Sequence, residues 1–258
     1  MAASTTKYSA PALDKGLDIL EFLAQTSKPV SQAQVARAIG RTPSEIFRML
    51  TILERRDFIE KSKRDGLLRL TPRMFELAHR QPRSRLLLNE ALPFMHRLAD
   101  EIQHSCHLVV RNATKALVIA QVDGPQMSGF VVRVGARWPM VQACSGNVLL
   151  AFQEDWLRDE WLRECGVDGD SEEGNQLRTM LEQIRSRGYA RVASSVVRGV
   201  TDLGAPILDH MGSAIASLTV PFLRPIDSSV TVASALSAIQ EAAGEISAAL
   251  GGSGLEAP

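Results

Sequence analysis

Residues 31–50 read SQAQVARAIGRTPSEIFRML, two helix-forming runs joined by Gly40-Arg41. Ser31 is followed by Gln34, the pairing in which a hydroxyl and a side-chain amide each satisfy the other's backbone N–H, so a helix opens there. Ala33, Ala36 and Ile39 supply a small packing face, and Gly40 suits its end. Thr42, Pro43 and Glu45 form a stronger start: a capping hydroxyl, a proline at the first helical position and a carboxylate that reaches back to the cap amide. Ile46, Met49, Leu50 and Leu53 then make an inward stripe. Ser44, Glu45, Phe47 and Arg48 are left on the outside, where a solvated helix ordinarily carries long charged side chains. A phenylalanine among them needs a reason.

Upstream, ALDKGLDILEFLAQT (12–26) spaces Leu13, Leu17, Leu20, Phe22 and Leu23 near a 3.6-residue period and predicts a first amphipathic helix. Downstream, DFIEKS, KRDG and LLRLTP follow Arg55-Arg56, and Asp65-Gly66 between apolar-containing runs signals a hairpin. Three helices and a basic-tipped hairpin make a winged helix-turn-helix. In that architecture the second helix of the motif enters the DNA major groove. Ser44 then bonds a phosphate or a base edge, and Glu45 accepts from a cytosine amino group, a role with which its cap competes. Arg48 reaches guanine or a phosphate. Phe47 either lies against a thymine methyl or packs on a neighbouring helix. Thr42 sits at the start of this helix, while Arg41, Lys61, Lys63 and Arg64 are suited to phosphates.

Charge supports the division. The 258 residues carry 29 Lys+Arg and 29 Asp+Glu, a formal net charge of zero, yet residues 1–85 hold 16 basic against 9 acidic, leaving 13 against 20 in the remainder. A basic module joined to an acidic one is the layout of a nucleic-acid binder attached to something else. The 45% hydrophobic and 22% charged composition is that of a globular protein. No apolar run approaches the roughly 20 residues of a membrane helix, and the start MAASTTKYSAPALDKG lacks a secretory layout, so a cytoplasmic protein with no membrane partner is expected. Three scattered cysteines disfavour a disulfide framework.

Beyond the wing, RMFELAHRQPRSR (73–85) predicts a short helix ending near Pro82, and SRLLLNEALPFMHRLADEIQ (84–103) a long one kinked or restarted at Pro93. CHLVVRN, ALVIAQV and GFVVRV read as strands, and a helix starts near Ser145. Further helices follow in EDWLRDEWLREC and EEGNQLRTMLEQIRSRG, then strands at 189–196, LGAPILD and SAIASLTVPF, and a closing helix. The second half is thus a mixed α+β domain. HSCHL (104–108) gathers His104, Cys106 and His107, but neighbours on a strand face opposite sides, which argues against one metal site and leaves His107 or Cys106 facing a pocket. No local pattern supports Cys144 as a nucleophile.

ALDKGLDILEFLA, the 31–61 stretch and the wing resemble the DNA-binding domain of the IclR-type bacterial transcription regulators, and VGARWPMVQACSGNVLLAF and SRGYARVASSVVRGVTDLGAPILDHMGSAIASLTVPF are similar to segments of that family's second domain. The resemblance implies an α+β protein with a winged helix-turn-helix at 12–72, a linker helix at 73–83 and a GAF-like α/β effector domain at 84–250, between flexible ends at 1–11 and 251–258. It further implies a homodimer or homotetramer that binds double-stranded operator DNA near catabolic genes, as repressor or activator, under control of a small metabolite. No catalytic residue, metal or cofactor is expected. By position Cys144, Ser145 and Gly146 match the family's ligand-binding turn, where exposed amides at a helix start form a carboxylate cradle. Asp202 and Thr219 match positions that face the ligand. Val192 stands where an acidic residue is common, and Pro221 replaces a second serine. Those departures disfavour a two- or three-carbon acid and point to a larger organic, sugar or aromatic acid. The alternative is a small-molecule enzyme with an N-terminal partner-binding module.

Overall fold

The computed structural model describes residues 10–80, 82–126, 129–169, 171–223 and 229–252. The expected flexible ends fall mostly outside these residues. Contacts divide the chain into two compact units between Arg85 and Leu86.

The N-terminal unit contains α1 (Pro11–Ala24), α2 (Gln32–Ala38) and α3 (Pro43–Arg55), followed by a two-stranded antiparallel hairpin of β1 (Ile59–Lys61) and β2 (Leu68–Leu70). The Ser31/Gln34 and Thr42/Glu45 capping boxes both form. Between them, Arg41 N–H donates to Ala36 O (2.8 Å) and Gly40 N–H to Arg37 O (3.2 Å), with Gly40 at φ +66°. This is the Schellman end, which needs a left-handed residue that glycine supplies without a Cβ penalty. Ile19, Leu20, Leu23, Val35, Ala36, Ile46, Leu50, Ile59 and Leu68 form the core, with Met49 and Leu53 packed against it.

Two details of the expected packing change. Leu13 and Leu17 share the period of α1 but are 61% and 49% exposed, because only its second half meets α2, α3 and the hairpin. Ala33 is exposed, and Val35 takes its place beside Ala36.

The second unit is built on a six-stranded antiparallel sheet in the order β5-β4-β3-β8-β7-β6. Its strands are β3 (Cys106–Asn112), β4 (Lys115–Val122), β5 (Arg137–Pro139), β6 (Ala190–Ala193), β7 (Thr201–Leu208) and β8 (Ala214–Phe222). Alternation assigns side chains to two cores. Cys106, Leu108, Leu203, Ala205, Leu218 and Val220 pack with α5 (Pro82–Ile102) and α9 (Val232–Ala249). Val109, Ala116, Val118 and Ala190 pack with α6 (Cys144–Ala151), α7 (Asp155–Glu164) and α8 (Glu172–Arg187). A short helix, α4 (Arg73–His79), precedes α5.

Helix α5 runs through Pro93 without a break, held by buried Ala91, Met95, Leu98 and Ile102 around the missing hydrogen bond. GFVVRV is not a strand. The third strand is Arg137–Pro139, paired with Lys115–Leu117, and residues 129–134 are irregular. Their apolar side chains mimic a strand pattern because Phe130 and Val132 turn inward while Val131 and Val134 face solvent. No described helix is long and apolar enough to cross a membrane.

Removing the cap hydroxyl with Thr42→Ala should destabilise the first turn of α3 by about 1 kcal/mol. Hydrogen exchange should show α3 amides opening about fivefold more often. Fluorescence unfolding should stay unchanged, since Trp138, Trp156 and Trp161 all lie in the second unit.

Candidate functional site

The first candidate is the outer face of α3. At about 100° per residue, Ile46 and Leu50 define the buried side and place Ser44, Arg48, Thr51 and Arg55 opposite, with Phe47 at the edge of that arc. All five outward residues are exposed, as is Arg41. Thr51 and Arg55 are additions to the face read from sequence; the same helical period reveals them once α3 is known to continue to Arg55. Lys61, Lys63 and Arg64 are exposed on the hairpin, whose turn is closed by Ser62 N–H to Leu67 O (2.8 Å) and Gly66 N–H to Ser62 O (2.9 Å).

Two expected contact residues are occupied within the unit. The Glu45 carboxylate accepts from Thr42 N–H (2.9 Å), from Thr42 Oγ1 (3.0 Å) and from Lys15 Nζ (3.4 Å). The backbone and hydroxyl bonds of Thr42, followed by Lys15, hold its pKa below the usual carboxylate value. Glu45 and Thr42 are therefore the fastening of α3, and the base-reading role sketched for Glu45 gives way to the cap. Phe47 is 58% exposed and lies outside the core of its unit, so helix packing does not account for it.

The second candidate is a small, partly open cavity in the second unit. Its floor is the sheet: His107 on β3 lies directly opposite Thr219 on β8, and Thr219 opposite Gly204 on β7, two residues from Asp202. Ala143, Cys144 and Ser145 enter from the start of α6, and Ser194, Ser195 and Val196 from the segment after β6. Phe130, Val132 and Trp138 form an apolar wall. The structure thus brings together His107, Cys144, Ser145, Asp202 and Thr219. Gly146 does not line the cavity. A Cβ there would lie 2.1 Å from Met140 O, so this glycine lets α6 sit on the turn before it. Gly204 does the same from below, where a Cβ would meet Cys144 Sγ at 3.3 Å and Val148 Cγ2 at 3.2 Å. Sequence reasoning missed Gly204, because nothing local separates it from an ordinary strand glycine.

Among the described residues the lining contains no lysine or arginine. Burial pushes the His107 imidazole down to about 4, so it is neutral at physiological pH. Burial, partly offset by a hydrogen bond from Ser194, raises Asp202. Cys144 Sγ points at Asp202 O (3.5 Å), and burial with the nearby Asp202 charge pushes its thiol far above the usual value. A protonated thiol facing a carbonyl is a donor to the sheet, not a nucleophile. No side chain caps α6, so its first-turn amides are among the groups able to receive an anion, with the hydroxyls of Ser145, Ser194, Ser195 and Thr219 and the His107 N–H.

The neighbouring polar residues divide as strand alternation requires. Cys106 is on the opposite face, its Sγ at 3.4 Å from Met95 O and its thiol pushed up to about 12 by burial. The ring nitrogens of His104 lie 2.7 and 2.8 Å from Ile102 O and Leu223 O, with the ring stacked on Phe222. Among the described residues no three His, Cys, Asp or Glu side chains form a metal-binding group.

Comparison with known proteins covers both units. Residues 12–63 match the IclR helix-turn-helix domain, and residues 82–248 match the family described as bacterial transcriptional regulator IclR C-terminal. The chain is 28% identical over 242 residues to the HTH-type transcriptional regulator BhcR of Paracoccus denitrificans, covering 92% of this chain and 86% of that protein. It is 26% identical over 227 residues to the HTH-type transcriptional repressor AllR of Salmonella paratyphi A, covering 85% and 82%. A solved structure of similar fold, at TM-score 0.75 and 23% identity over 93% of this chain and 98% of that one, is an IclR homolog from Microbacterium hydrocarbonoxydans complexed with 4-hydroxybenzoate.

The two titrating groups have opposite pH signatures. His107, lowered in the fold from 6.5 to about 4, contributes stability above pH 6.5 that is lost as pH falls toward 4, a span worth about 3 kcal/mol. His107→Gln should flatten that acid limb of a stability–pH curve. Asp202, raised above 3.8, favours the fold at low pH, and that contribution disappears as pH rises through its folded pKa. Asp202→Asn should therefore have a higher Tm than the parent at pH 7, with the gap closing below pH 3.8.

Proposed function

The chain belongs to the IclR family of bacterial transcriptional regulators, and from that premise we propose that it is a ligand-responsive, sequence-specific regulator of a catabolic operon. Helix α3 enters the major groove of operator DNA. Ser44 and Arg48 meet base edges or phosphates, and Arg41, Lys61, Lys63 and Arg64 neutralise backbone charge. The observation that carries this reading is the outward face of α3, exposed beside a basic hairpin and anchored at its start by two interlocked caps. The protein works as a homodimer or homotetramer, so that paired α3 helices meet paired half-sites.

The cavity of the second unit takes the effector, a small acid whose carboxylate rests on the α6 amides and nearby hydroxyls. Phe130, Val132 and Trp138 favour an effector with a ring or a further apolar part over a two- or three-carbon acid. A fold neighbour holding 4-hydroxybenzoate supports that preference. With Asp202 ionised and no cation among the described lining residues, an anionic effector binds best once Asp202 carries a proton, or when its own donor faces that carboxylate. A coupling of ~1–3 kcal/mol between effector and operator suffices for a useful switch.

Duplexes from the gene's own neighbourhood, titrated with protein at several salt concentrations, test the DNA role. Arg48→Ala should weaken binding about ten- to hundredfold, and Lys63→Ala should shallow the salt dependence by roughly one phosphate. Absence of binding to every such duplex at moderate salt would sink the proposal. A thermal-shift screen of organic, sugar and aromatic acids tests the effector role, and a hit should bind stoichiometrically and be recovered unchanged. Turnover of the hit would favour the enzyme alternative.

A further inference from the structure

We infer that Phe47 reads the 5-methyl group of a thymine in each operator half-site. The inference rests on the DNA-binding role proposed above and adds to it one identified base group.

Among the described residues Phe47 has no place in the core. It is 58% exposed, it stands outside the core formed by Ile46, Leu50 and their neighbours, and no aromatic or cationic partner engages its ring among the described residues. It is not helix propensity that places it there either, since phenylalanine ranks below the straight-chain residues that suit an exposed turn. A large apolar side chain kept in water is stabilised when a partner covers it.

The surroundings say which partner. Arg41, Arg48 and Arg55 are exposed on or just before α3 against one exposed acid, Glu54, and the acid of the first turn, Glu45, is already paired with Lys15. A surplus of cations along the helix that carries this apolar side chain fits a polyanion. Among the groups that base pairs present in the major groove, hydrogen-bond donors and acceptors predominate, and the thymine methyl is the apolar one. Thr51, one turn on, donates its hydroxyl back to Phe47 O (3.0 Å), so that hydroxyl is engaged with the helix backbone rather than offered to a base. The Phe47 ring therefore has a single chemical counterpart in the groove.

The test uses the full chain. Duplexes are selected from a random-sequence library, and each thymine of the preferred half-site is replaced singly by deoxyuridine, which deletes only the methyl. At one position the replacement should weaken binding about fourfold per half-site. A 5-methylcytosine–guanine pair placed there should bind more tightly than cytosine–guanine. Phe47→Ala should bind thymine and uracil duplexes alike while keeping the parent's salt dependence. A preferred half-site without thymine, indifference of the parent to every methyl, or a methyl effect that survives in Phe47→Ala would each overturn the inference while leaving DNA binding intact. A library that returns no preferred duplex would overturn the DNA-binding role itself, and this inference with it.

Discussion

The turn from Gly40 to Thr42 governs what the N-terminal unit can do. On its first side the left-handed Gly40 closes α2 with two backbone bonds; on its second Thr42 and Glu45 open α3 with reciprocal side-chain bonds. No free residue separates the two motifs except Arg41, whose own N–H belongs to the first. Gln32 Nε2 adds a bond to Pro43 O (2.9 Å), tying the start of one helix to the start of the next. The angle between α2 and α3 is thereby set by hydrogen bonds within the turn, and Ile46 and Leu50 set the rotation of α3 about its axis. An outward face of defined composition is the result.

The second unit relies on a different constraint, the alternation of side chains across an antiparallel sheet. One face packs a largely apolar core under α5 and α9, whereas the other carries His107, Thr219 and Asp202 beneath the start of α6. Helix α6 sits on the preceding turn because Gly146 leaves room beside it, and Gly204 eases its contact with the sheet below. Burial then neutralises most of the ionisable groups: the imidazole loses its proton and the thiol keeps its own. What remains is a polar floor that donates and accepts hydrogen bonds, with an apolar wall.

Local signals were legible in the sequence because they act within a turn or two of chain. Both capping boxes, the Gly40 stop, the Asp65-Gly66 hairpin and the inward stripe of α3 all needed only neighbours a few residues away. The readings that changed involve partners farther off. Leu13 and Leu17 repeat the helical period but stay outside the core among the described residues of their unit. Phe130 and Val132 alternate like a strand while pointing into a cavity. Pro93 looks like a break but is carried by the packing of its helix. Glu45, read as both a cap and a base contact, has its carboxylate held by Thr42 and Lys15.

The sequence by itself determined the two-part organisation, the helix-turn-helix and which side of α3 faces out, since periodicity and capping are properties of contiguous residues. Tertiary structure decided which side chains share the cavity. His107, Ser145, Asp202 and Thr219 lie far apart in the chain, and only the pairing register of β3, β8 and β7, with α6 laid across it, makes them neighbours. It also decided that Phe47 is largely exposed, because burial depends on what the rest of the fold brings near, and among the described residues none packs it into the core.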